Sequence, residues 1–295
     1  MALGSRAPLL PLASRDEWND AVKASRQRLL TLLAVAVVLA APAGSFAAEA
    51  PVFTRFLVPI HVVATPGAHG SLWQSETWIR YAGLEATEMV PRPFCFAGLC
   101  PLGGLLEPGW PAVPFRHFSR ELDPFTEPAF LVHIEAQHAA DVTFSSRVRD
   151  LSRMSESAGT EVPVVREDDF RASPLYLLNI PVDPKFRSLL RLYALPDLEE
   201  IEVDVRYFRG IEEGEEFAIQ LVHQDRTRLR IPAPIAGFRL HPALAEVDLQ
   251  AIPELAALNA FWIEVVPATP GARIWAFVSV TNNETQQFTM VSPQR

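Results

Sequence analysis

From residue 52 onward the chain is dominated by short apolar runs that alternate with polar residues and are broken at close intervals by Pro, Gly, Asp or Asn. Such segments have the two-residue period of a strand with one wet face, and they are too short for ordinary helices. Residues 201–207 carry the pattern most cleanly: Ile201, Val203, Val205 and Tyr207 alternate with Glu202, Asp204 and Arg206. Further strands are expected at 55–63, 73–81, 129–135, 142–148 and 161–165. In the second half they are expected at 175–180, 186–193, 201–208, 217–223, 227–231, 260–266, 273–281 and 287–291. The 26 prolines suit strand ends and loops, because a proline cannot donate to a ladder. One helical turn is expected at 253–258, where Pro253 stands at a first helical position and Glu254 beside the helix N-terminus. The fold class read from this pattern is all-β: two tandem antiparallel β-sandwiches with few short helices.

The two halves resemble each other. Trp73-Gln74-Ser75 opens a strand as Phe186-Arg187-Ser188 does, and 142–150 matches 274–282 in character. Those last two segments end at Asp150 and Asn282, short polar residues suited to an Asx turn. One plan used twice places a leader at 1–47, a first sandwich at 52–167 and a second at 174–295. The acidic stretch Glu167-Asp168-Asp169 before Pro174 reads as an exposed join.

The N-terminal segment sets the expected compartment. Arg26 and Arg28 precede an apolar run of about 13 residues from Leu29 to Ala41, shorter than the roughly 20 a membrane-spanning helix requires. Ser45-Phe46-Ala47 then presents small residues at the positions a signal peptidase reads. Cleavage near Ala47, and a secreted or periplasmic product with no membrane span, are the expectation. Cys95 and Cys100, the two cysteines of the chain, are expected to pair in that oxidising setting. So short a loop contributes only about 2 kcal/mol and shapes one segment. The net charge of −9 argues against nucleic acid, whose phosphates call for clustered cations.

The strand 273–281, the turn Asn282-Asn283-Glu284-Thr285 and the terminal stretch 288–293 resemble the closing hairpin of uncharacterised bacterial secreted proteins built from paired immunoglobulin-like sandwiches. The resemblance implies fold and compartment and no particular chemistry. The chain lacks the Cys-Trp-Cys framework of antibody domains.

The sequence holds no complete catalytic motif. His133 and His138 are five apart, which separates them on a helix or a strand alike, whereas a zinc-protease helix spaces its histidines by four. Ser145-Ser146 has no glycine elbow, and Gly103-Gly104 has no phosphate-binding lysine behind it. Glu199-Glu200 and the acidic stretch 212–216 read as solvated, edge-protecting charge. No cofactor and no metal are expected. Trp73 and Trp110 are the candidate ligand-binding residues, as aromatic platforms for sugar rings. Trp78, five residues from Trp73, points to the opposite face of a strand. Trp262 and Trp275 are expected in the core.

These observations favour a non-catalytic protein with a structural, adhesive or scaffolding role, whose partner is a protein or glycan at the cell surface. A carbohydrate-binding module is the alternative. A hydrolase with a site assembled from loops, drawing on His117 or His138 near Glu135 or Asp123, is a further one.

Overall fold

The computed structural model describes residues 52–91, 103–109, 113–114 and 127–294, apart from 156, 182, 214, 215, 257 and 259. In the first half the strands are β1 (Phe53–Val58), β2 (Thr65–Pro66), β3 (Leu72–Tyr81), β4 (Thr87–Val90), β5 (Gly104–Leu106), β6 (Val113–Pro114), β7 (Phe130–Glu135), β8 (Val142–Asp150), β9 (Thr160–Val162) and β10 (Val165–Arg166). The second half holds β11 (Leu175–Pro181), β12 (Phe186–Ala194), β13 (Ile201–Glu213), β14 (Glu216–Leu229), β15 (Ala243–Asp248), β16 (Ala260–Pro267), β17 (Ile274–Asn282) and β18 (Phe288–Val291). The helices among the described residues are 3-10 turns, including Pro253–Leu255 where the sequence predicts one.

The strands form four antiparallel sheets, ordered β10-β1-β7-β4-β5, β2-β3-β8-β9 with β6 also on β3, β11-β16-β13-β14, and β15-β12-β17-β18. The architecture is all-β and antiparallel, as expected. Pairing follows one plan in both halves. β1-β7-β4-β5 corresponds to β11-β16-β13-β14, and β3-β8-β9 corresponds to β12-β17-β18. A constant-type immunoglobulin domain groups strands A, B, E and D against C, F and G. Here the second and third of these seven strands exchange sheets, and the fifth lies between the first and the third. Both expected Asx turns form: Asp150 Oδ1 accepts from the Ser152 amide at 3.0 Å, and Asn282 Oδ1 accepts from Glu284 and Thr285 at 2.8 and 2.9 Å.

Three apolar clusters hold the sheets together. Phe56, Val58, Ile79, Tyr81, Met89, Phe130, Val132 and Ile134 fill the space between the β1 and β3 sheets. Leu190, Leu192, Ile201, Val203, Val205, Ile263, Val265, Ile274, Ala276 and Val278 do the same between the β12 and β13 sheets. A third cluster joins the halves. Leu57, Leu131 and Val165 of the β1 sheet meet Tyr193, Leu244, Trp275 and Phe277 of the β12 sheet. The layers therefore stack as β3 sheet, β1 sheet, β12 sheet, β13 sheet, and the two inner sheets are buried on both faces. This explains why β7 is buried from Phe130 to Ile134 and β17 from Ile274 to Val280, without the alternation of a half-wet strand.

Polar contacts stitch the same junction. The Tyr193 hydroxyl donates to the Pro59 carbonyl at 2.5 Å, and burial pushes its pKa up to about 12. Arg55 on β1 donates Nε to Glu167 at 2.9 Å and both terminal nitrogens to the Asp197 carboxylate. That guanidinium holds Asp197 below the ordinary carboxylate range. Arg230 forks onto Glu127, lowering the pKa of its carboxyl likewise. Residues 239–241 run along β7: the Leu131 amide donates to Leu240 O at 2.7 Å, and the His133 ring nitrogen meets Arg239 O at 3.1 Å. The join between the halves is exposed at Asp168 and at 171–174, and it is also pinned. Phe170 is buried in the third cluster, and Arg171 exchanges both backbone hydrogen bonds with Ile274.

Several expectations are revised. The runs 217–223 and 227–231 form one continuous strand, β14, bent by an irregular register opposite Tyr207 and Phe208. β4, β5 and β15 are too short, or too ordinary in composition, to stand out in the sequence. Trp275 is core, but Trp262 is not. It is half-buried on the outer face of its sheet and stacks on Phe208 with centroids 5.8 Å apart.

Two outcomes follow. Phe277→Ala removes a fully buried ring from the junction and is expected to cost about 3–5 kcal/mol in urea unfolding. Burial lowers the pKa of His133, so the folded state keeps it neutral. The unfolded chain gains a proton below about pH 6.5. Stability should therefore decline as pH falls from about 6.5 towards the folded value, and the slope in that window should shrink in His133→Gln. An unchanged slope would show that His133 is not its source.

Candidate functional site

The odd-numbered side chains of β12 face the first half, and their character changes along the strand. Tyr193 is apolar and packs on the β1 sheet; Arg191 and Arg187, one and three positions nearer the strand start on that face, are cations. β17 shows the same gradient, from Trp275 and Phe277 to Ser279 and Thr281. Register places Arg187 opposite Thr281, Arg191 opposite Phe277, and Leu189 between Ser279 and Asp248. The two inner sheets close where this face is apolar. Where it turns polar the β1 sheet no longer covers it, and a cleft of about 370 Å³ lies between it and the 60–66 segment and β3 sheet. That volume falls within the range of about 300–1,000 Å³ usual for small-ligand sites.

One wall of the cleft is apolar and comes from the first half: Ile60, Val62, Pro66, Trp73 and Val148. Phe288 of β18 extends it, with its ring edge-on to the Trp73 indole at 6.3 Å. The opposite wall carries Arg187, Arg191, Asp248, Gln250, Ser279 and Thr281. A second cavity of about 250 Å³ lies on the far side of Trp73 and Phe288, lined by Asp150, Arg153 and Gln286 among others.

Arg187 is held without charge compensation. Its terminal nitrogens donate to Asn283 Oδ1 and Gln286 Oε1, both at 2.9 Å, and among the described residues no carboxylate pairs with it. Burial correspondingly lowers its pKa. The two acceptors belong to the turn between β17 and β18, which is itself tied down. Asn283 Nδ2 donates to Pro184 O at 2.9 Å, its amide to Lys185 O at 2.6 Å, and Gln286 Nε2 to Asn283 O at 2.6 Å. Gln286 is 3% exposed and has φ 57°, a left-handed conformation that costs a non-glycine residue energy and persists only where its surroundings enforce it. Arg191 is partly neutralised: Nη1 lies 2.9 Å from Glu246 Oε1, while Nε is buried with no hydrogen-bond partner. On the same wall, Asp248 caps the following 3-10 turn by accepting from the Gln250 amide at 3.0 Å.

Trp73 is placed by its neighbours. It pairs with Asp150 across β8 and with Thr65 across β2, and its indole lies over Gly67. A Cβ added to Gly67 would stand 2.6 Å from both Trp73 Cδ1 and Nε1, so only glycine leaves room for the ring. Of the candidate platform residues, Trp73 is half-buried at the cleft, and Trp78 points outward, 41% exposed, away from it. Trp110, Cys95, Cys100, His117, Asp123 and the leader 1–47 lie outside the described residues.

The other sequence candidates do not converge. His138 shares a 3.1 Å contact with Gln137 and sits edge-on to Tyr81, whereas Glu135 accepts from Thr87 Oγ1 at 3.0 Å and the Glu88 amide at 3.2 Å. Ser146 is buried and bonded to Thr77 at 2.9 Å. Glu199 and Glu200 are exposed, the latter paired with Arg228 at 3.1 Å. Among the described residues no three His, Cys, Asp or Glu side chains gather as a metal would require, and no helix is long and apolar enough to cross a membrane. Sequence reasoning missed Arg187 and Arg191. The available signal was their position, four apart on one face of a strand whose remaining odd residues are Leu189 and Tyr193.

No family model matches the chain, and neither the curated proteins nor the solved structures hold a match to it.

Gly67→Ala is expected to destabilise the protein by about 1–3 kcal/mol through overpacking against the indole. In a double-mutant cycle with Trp73→Ala, part of that cost should disappear, because the ring is one of the two groups a Cβ meets. Additive losses would place the indole elsewhere.

Proposed function

We propose that this chain is an exported, non-catalytic protein of the bacterial cell surface or periplasm. Its role is structural, adhesive or scaffolding, as in the secreted paired-sandwich proteins its closing hairpin resembles. The observation that carries this reading is the third core. By burying both faces of the inner sheets it turns two sandwiches into one stiff body, a shape suited to presenting a surface and not to opening and closing around a reaction. The apolar run at 29–41 with its small-residue cut site supports export.

A second reading, glycan binding, is favoured by one specific feature: the half-buried Trp73 forms the wall of a cleft whose other side is polar. Sugars present an apolar ring face and a rim of hydroxyls, and an aromatic plane opposite charged and hydroxyl groups matches both.

Expression with the leader in a bacterium tests export. N-terminal sequencing should find the product beginning just after Ala47, and thiol titration of the unreduced protein should find Cys95 and Cys100 both blocked. The purified product should leave panels of glycosides, esters and peptides intact. Retention of the leader inside the cell, or turnover abolished by a single side-chain change, would end this reading.

A further inference from the structure

The cleft has an asymmetry that neutral sugars leave unused. Arg187 stands on its polar wall with its charge uncompensated, held by two side-chain amides that fix its orientation but add no negative charge. A guanidinium half-withdrawn from water gains most from a carboxylate, which its planar donors match. Arg187 already uses one hydrogen on each terminal nitrogen for the turn, so its Nε and the remaining hydrogens are the donors left for a ligand. Thr281, directly across the ladder, adds a hydroxyl beside it. Arg191, four residues along the same face, adds positive potential, although Glu246 partly satisfies it.

The rest of the cleft narrows the ligand further. Asp248 and Gln250 are acceptors for hydroxyl donors, and Asp248 disfavours a multiply charged phosphate in the same space. Trp73, Pro66 and Phe288 offer an apolar surface opposite them. We infer that the cleft is a binding site for an acidic saccharide of the uronic acid class, its carboxylate on Arg187, its ring against Trp73 and its hydroxyls towards Asp248 and Gln250. The inference rests on the glycan-binding reading above and adds the charge of the ligand and the residue that selects it.

Titration calorimetry with trisaccharides of galacturonate, glucuronate and mannuronate, each compared with its methyl ester, separates the two. The ester keeps the ring and hydroxyls and removes the charge. At least one acid should bind ten-fold or more tightly than its ester, with an affinity that falls as salt is raised. Arg187→Gln should erase that preference, Arg187→Lys should retain part of it, and Trp73→Ala should weaken acid and ester alike. Circular dichroism of each variant establishes that the sheets persist.

Equal, Trp73-dependent binding of acid and ester would overturn the acidic preference and leave the glycan reading standing. A preference that survives in Arg187→Gln would overturn the assignment to Arg187. Binding of none of the six probes would remove the glycan reading and this inference together.

Discussion

The face-to-face contact between the β1 and β12 sheets is the constraint on which the rest of this structure depends. Each of these sheets already closes a sandwich with its outer partner, so its second face must also be hidden or remain wet. Leu57, Leu131, Tyr193, Trp275 and Phe277 make that second face apolar in both sheets. The aromatic three lie with centroids 5.4–6.2 Å apart, a close group whose large apolar area is removed from water by the first half. Polar groups caught at the junction find partners there: the Tyr193 hydroxyl bonds Pro59, and the Arg55 guanidinium lies between Glu167 and Asp197. A buried donor without such an acceptor would cost more than a formed bond contributes, so these contacts fix which surfaces meet.

The cleft is a consequence of where that contact ends. Along β12 and β17 the junction face turns from aromatic to charged within four residues, and sheets cannot close over an uncompensated guanidinium without a large desolvation cost. The β1 sheet ends short of it instead, and the start of β3 brings Trp73 to the opening. The turn between β17 and β18 then holds Arg187 through the side-chain amides of Asn283 and Gln286, and Gln286 is buried in a left-handed conformation.

Much of the architecture was legible because local rules and tertiary packing agreed. Alternation at 201–207 is alternation in burial, and the breakers that bound the predicted strands bound most of the observed ones. Asp150 and Asn282 close their strands with the turn their side chains favour. Legibility failed where a strand lacked period or length. β17 is buried on both faces and so shows a plain apolar run, which does not say what covers either side. Trp262 was misread for the converse reason: an aromatic in a strand is core on one face and surface on the other, and only its neighbour Phe208 decided between them.

Strand-forming alternation, proline punctuation and turn chemistry act over a few residues, so the sequence by itself determined that this chain is antiparallel β and where most of its strands begin and end. Which sheets share a core depends on side chains more than a hundred residues apart, as Arg55 and Asp197 or Leu131 and Leu240 are, and no local pattern encodes such a pairing. The tertiary structure alone decided that the halves fuse through a third core, that Trp73 and Arg187 line one cleft, and that the join between the halves is pinned through Phe170 and Arg171. The physical reason is that burial is a property of two surfaces together, whereas periodicity is a property of one.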